Sequence, residues 1–185
     1  MPPSQGFTYL CGCFAATIAT SKAVNSIKKL STSYQREMLE AIYTDLDAHN
    51  ELLQVLKKGS IRPQILSYLR CLQQKLKTDF DININISLPL LKHKNLTQAD
   101  VLDFIREQSS LPRTSVLFGL TGIHDHWTTA KIVKQKNILL LDSDYLKRLP
   151  LRNFPNKHQI SKNDVFVIRA EPPMNKNIKT YSSTV

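Results

Sequence analysis

The chain has 185 residues, of which 42% are hydrophobic and 22% charged. That is a length for one domain and a composition that excludes a mostly disordered chain. Lys and Arg outnumber Asp and Glu by 25 to 15, a formal charge of +10. Such an excess attracts anionic partners in general. The basic residues are scattered, however, with only short pairs such as Lys28-Lys29 and Lys57-Lys58, and no alternation with aromatics. No specific nucleic-acid partner is expected. No stretch is long and apolar enough to span a membrane. The apolar run from Phe7 to Ala19 lacks the preceding positive charge of a signal peptide, with Gln5 and Gly6 in its place. Three cysteines cannot make a disulfide framework, so reduced thiols and a cytoplasmic location are expected.

In chain order, Phe14, Ala15, Ile18, Ala19, Ala23 and Ile27 recur at helical spacing from about Cys11 to Leu30. The pattern predicts a helix buried on one face, beginning at or just before the cysteines. Tyr34, Met38, Leu39, Ile42 and Leu46 form a second amphipathic run. A third runs from Leu52 to Gly59, and a fourth follows Pro63 through Ile65, Leu69, Leu72 and Leu76, making Cys71 a core or half-buried thiol. Asp81 to Leu88 alternates Ile with Asn and Ser, a half-exposed strand ended by Pro89. Thr97 with Asp100 resembles a capping box opening a helix through Val101, Leu102 and Ile105. Strands are expected at Ser115–Leu120, His126–Val133, Ile138–Leu141 and Val165–Ile168, with an irregular stretch from Pro150 to Asp164. The tail, 171–185, is polar and expected to fray. Helices first and antiparallel strands last is an α+β order in a single domain.

Three segments carry chemistry. Cys11-Gly12 sits at a helix start, where free N–H groups and the helix dipole stabilise a thiolate. Gln5 lies upstream at a distance from which its amide reaches an oxyanion. His126 opens a strand beside Trp127, a rigid and partly shielded place for a general base. His124, two residues earlier, is the second choice. Asp142 ends the apolar strand that follows through a tight hairpin, which returns the carboxylate to His126 to orient and stabilise the imidazolium. Asp144 is second choice for that carboxylate. The plainer alternatives are a small buried thiol, a structural histidine and a turn aspartate.

Together these residues resemble the papain-like cysteine peptidase superfamily, most closely the bacteriocin-processing double-glycine leader peptidases and their small bacterial relatives. In that group a Gln stands six residues before Cys-Gly and an Asp some sixteen after the His; Gln5 to Cys11 and His126 to Asp142 match. Leu10 departs from the pattern, which places an acidic or polar residue before the cysteine. Cys13-Phe14-Ala15 also aligns with papain's own Cys-Trp-Ala, which keeps Cys13 as the alternative nucleophile. The likeness covers the two ends of the chain; about Leu30 to Leu111 carries no recognised motif.

The resemblance implies a papain-like fold, with an N-terminal catalytic helix and a helical middle packed on a C-terminal antiparallel sheet. It implies a Cys11-His126-Asp142 triad with Gln5 at the oxyanion, a peptide or protein substrate and no cofactor. Peptide cleavage, deamidation, amidase and transferase chemistry all use this constellation, and a toxin or effector delivered into another cell would use the same chemistry. Two rivals stay open: a non-catalytic module with the same fold, and a Cys2His2 zinc site built from Cys11, Cys13, His124 and His126. Oligomeric state is not readable from the sequence.

Overall fold

The computed structural model describes residues 8–123, 125–142 and 146–171. Helix α1 (Cys11–Val24) is followed by α2 (Thr32–Ala48), α3 (Leu52–Lys58) and α4 (Arg62–Phe80). Strand β1 (Asn83–Ser87) and α5 (Gln98–Ser110) come next. The remainder is β2 (Thr114–Gly122), β3 (His126–Val133), β4 (Asn137–Leu141), β5 (Arg148–Pro150) and β6 (His158–Glu171). The strands form one antiparallel sheet in the order β1-β6-β2-β3-β4-β5, so the fold is α+β.

Local signals set the helix ends. The Ser31 side chain accepts from the Tyr34 N–H at 3.1 Å and caps α2. Pro63 lies in the first turn of α4, where its missing N–H costs nothing, and Asp81 ends that helix in the left-handed region at φ 55°. Thr97 and Asp100 form the expected capping box: Thr97 Oγ1 accepts from the Asp100 N–H at 3.2 Å, and Asp100 Oδ2 from the Thr97 N–H at 2.8 Å.

The sheet is covered on both faces. Leu117, Phe166, Ile168 and Ala170 pack with α1, α2 and α4. Val116, Phe118, Leu120 and Val165 pack with Val101, Leu102 and Ile105 of α5 on the other side. Alternate residues of β2 therefore serve two cores, which is why this strand reads as a continuous apolar run.

Two expectations are corrected. Helix α1 stops at Val24, short of Leu30, and is not buried on one face: Gly12, Ala16, Thr17, Thr20 and Val24 are buried along with Ala15, Ala19 and Ala23, while Phe14 and Ile18 are only half-buried. The helix touches β2, β3, β6, α2 and α4, and small residues all round let those neighbours approach. A Cβ on Gly12 would stand 2.6 Å from Ser60 Oγ and 2.7 Å from Ile65 Cδ1. The stretch Pro150–Asp164 is also less irregular than its sequence suggests, since β5 ends in it and β6 begins at His158. Among the described residues no helix is long and apolar enough to cross a membrane. The tail, 172–185, lies outside the described residues.

Candidate active site

Cys11 is the first residue of α1, and the packing of that helix against β3 aims its sulfur at the strand. The backbone N–H of Trp127 donates to Cys11 Sγ at 3.4 Å. The residue before Trp127 is His126, paired with Leu120 at the start of β3. The glycine at 122, just before the turn into β3, holds φ +113°, and a Cβ there would lie 2.4 Å from the Lys157 carbonyl oxygen. Only glycine fits both conditions.

Strand β4 delivers the carboxylate. Thr129 pairs with Leu141, so one further step along the antiparallel ladder sets Asp142 against Thr128 and diagonal to His126. His126 and Thr128 are two residues apart on β3 and share one side of the strand. His126 Nε2 lies 2.8 Å from Asp142 Oδ2, and the Thr128 hydroxyl donates to that same oxygen. Lys147 Nζ donates to the Asp142 backbone carbonyl at 3.3 Å, steadying the strand end. The Asp142 side chain is 1% exposed and that of His126 6%, so water screens the pair little.

Burial by itself would strip the proton from His126, but the hydrogen bond to the Asp142 carboxylate and its charge, with the neighbouring Cys11 sulfur, outweigh it and lift the imidazole to about 10. With Nε2 committed to Asp142, Nδ1 is the ring nitrogen left for the thiol.

Cys13 is a different kind of thiol. It is fully buried. Burial pushes it up to about 12, against a hydrogen bond with Tyr68 that lowers it. A thiol held so firmly protonated is a poor nucleophile. Cys71 is half-buried on α4, and burial likewise pushes its thiol up. Among the described residues no three His, Cys, Asp or Glu side chains group as metal ligands. The other sequence candidates, Gln5, His124 and Asp144, lie outside the described residues.

Cys11 and His126 open onto a cleft of about 720 Å³ between the helices and the sheet. Tyr9, Lys58, Gly59 and Ser60 line its helical side; Gly119, Thr121, Trp127 and Asp164 line the sheet side. Neither a family model, nor a curated protein, nor a solved structure matches this chain.

Sequence reasoning missed the brace across this cleft. Trp127 Nε1 donates to the Ser60 carbonyl at 2.7 Å, and Ser60 Oγ lies 3.0 Å from Tyr68 Oη. The indole thus ties β3 to the α3–α4 connection just behind the thiol. Thr128 was missed too, although its place two residues after His126 puts it on the same strand face.

Proposed function

We propose that this chain is a cysteine-dependent amide hydrolase of the papain-like kind, acting first of all as a peptidase. The observation that carries the reading is His126, hydrogen-bonded through Nε2 to a buried carboxylate, next in sequence to the Trp127 N–H that donates to the thiol at the head of a helix, with thiol and imidazole lining one open cleft. A papain-like arrangement is supported by the placement of these groups: the cysteine on a helix packed across an antiparallel sheet, the histidine and aspartate on neighbouring strands.

In this reading His126 takes the proton of Cys11, and Asp142 keeps the resulting imidazolium in place. The thiolate attacks the amide carbonyl carbon. The Cys11 N–H at the start of α1, with Gln5 as a further donor, receives the oxyanion. His126 returns its proton to the departing amine, leaving a thioester on Cys11, and water activated by His126 then releases the acid. Attack by another amine in place of water gives transfer, and a side-chain amide in place of the backbone gives deamidation. A reducing compartment keeps the thiol available.

The test is competitive alkylation with iodoacetamide, mapped by mass spectrometry. Accessibility alone ranks half-buried Cys71 ahead of Cys11, which is 4% exposed. Fastest modification at Cys11, lost in His126→Ala, supports the proposal. Labelling that follows accessibility, with Cys71 first, overturns it.

A further inference from the structure

The bulge in β6 places a carboxylate where the site described above has no use for it. Strand β2 pairs with β6 at Phe118↔Val165 and next at Leu120↔Ile160, so residues 161–164 swing out of the ladder opposite Gly119. A Cβ at Gly119 would stand 3.3 Å from Asp164 Cβ, 3.3 Å from Trp127 Cζ3 and 3.4 Å from Trp127 Cη2. The bare backbone of Gly119 therefore lets the carboxylate-bearing residue and the indole come close together. All three line the cleft that holds Cys11 and His126.

The charges around it are unlike the rest of the molecule. The chain carries +10, yet among the described residues the cleft is lined by two carboxylates, Asp125 and Asp164, against Lys58 and the His126 imidazole. Asp164 is half-buried and makes no ion pair with a described residue. Arg62, at the start of α4, donates through Nη1 to the Asn163 carbonyl at 3.4 Å. Trp127 is fixed in the cleft wall, because its Nε1 donates to the Ser60 carbonyl. A half-shielded carboxylate beside a fixed indole suits the charged end and methylene stem of a lysine or arginine side chain.

We infer that the cleft selects substrates with a basic side chain next to the scissile amide, held by Asp164 and the Trp127 indole. This rests on the thiol chemistry proposed above and adds a substrate class to it.

The experiment uses short peptidyl acyloxymethyl ketones that differ only in carrying Lys, Leu or Glu beside the electrophile, with Cys11 modification timed by mass spectrometry. The Lys probe is expected to label about tenfold faster than the Glu probe, the size of one exposed charge contact combined with an aromatic one. Taking the ratio within each protein cancels differences in thiol reactivity. Asp164→Asn brings the ratio towards one, and Asp164→Lys reverses it. A ratio near one in the unaltered protein, with Cys11 still reactive to iodoacetamide, overturns the substrate class and leaves the thiol chemistry standing. A Lys preference that survives in Asp164→Asn overturns the role of Asp164. Failure of Cys11 to react even with iodoacetamide overturns both.

Discussion

Replacing Asp142 by Asn removes one charge from the site and almost nothing else. The amide has the carboxylate's shape, and its oxygen can still accept from His126 Nε2 and from the Thr128 hydroxyl. What disappears is the negative charge that, with the Cys11 thiol, holds the buried imidazole up at about 10 against the pull of burial. The contact is 2.8 Å long between side chains 6% and 1% exposed, so screening by solvent is slight. A hydrogen bond to a charged group is worth about 1.5–3 kcal/mol, and each 1.4 kcal/mol is tenfold in rate, so Cys11 alkylation at neutral pH should slow by about 10- to 100-fold. The His126 midpoint, followed by NMR of the imidazole ring, should fall from its high value in the same variant. Both readings come from one protein sample, and iodoacetamide needs no knowledge of the natural substrate. An Asp142→Asn protein that alkylates as fast as the parent, with His126 titrating where it did, would refute the reasoning.

The raised imidazole also couples stability to pH. The folded chain holds this proton up to about 10, whereas an unfolded histidine releases it near 6.5. The contribution is therefore whole below pH 6.5 and is lost as pH rises through 10. The stability difference between the parent and His126→Gln, taken from denaturant titrations, should shrink over that window; a constant difference would contradict it. Trp127→Phe leaves the Ser60 carbonyl without its indole donor, and should cost about 1–3 kcal/mol and lower the melting temperature by several degrees in calorimetry. Cys13→Ala should leave Cys11 alkylation within about twofold, while costing about 1 kcal/mol for the lost packing of a fully buried side chain. A large drop in Cys11 reactivity there would return Cys13 to consideration.

The helices could be read from the chain because their causes are local. The capping pair at Thr97 and Asp100, the proline at 63 and the apolar spacing in α2 and α4 all act within a turn or two. The first half of β6 has no such cause. Gln98, on α5, donates through Nε2 to the Ile160 carbonyl at 2.8 Å and accepts the Ile160 N–H at 2.8 Å, standing in for a strand neighbour 62 residues away. No periodicity within Pro150–Asp164 could announce that. The one-sided burial expected of α1 failed for a similar reason: the helix is enclosed by strands and helices whose approach depends on small residues, so its polar Thr17 and Thr20 are buried with the rest.

The site divides along the same line. His126 and Asp142 could be placed together because a short hairpin fixes register, and Cys11 because helix starts favour thiolates. The Trp127–Ser60 bond spans 67 residues and joins an indole to a backbone carbonyl, which carries no mark in the sequence. Asp164 reached the cleft through a bulge, and a bulge depends on the partner strand as much as on its own residues.

The most direct measurement traps the acyl group. Mixing the protein with an activated acyl donor, a short peptidyl p-nitrophenyl ester, and quenching in acid within the first turnovers should give a p-nitrophenol burst of about one equivalent. It should also leave a thioester on the peptide that contains Cys11, absent in Cys11→Ala. A burst that persists in Cys11→Ala, or an acyl group mapped only to Cys71, would contradict the account.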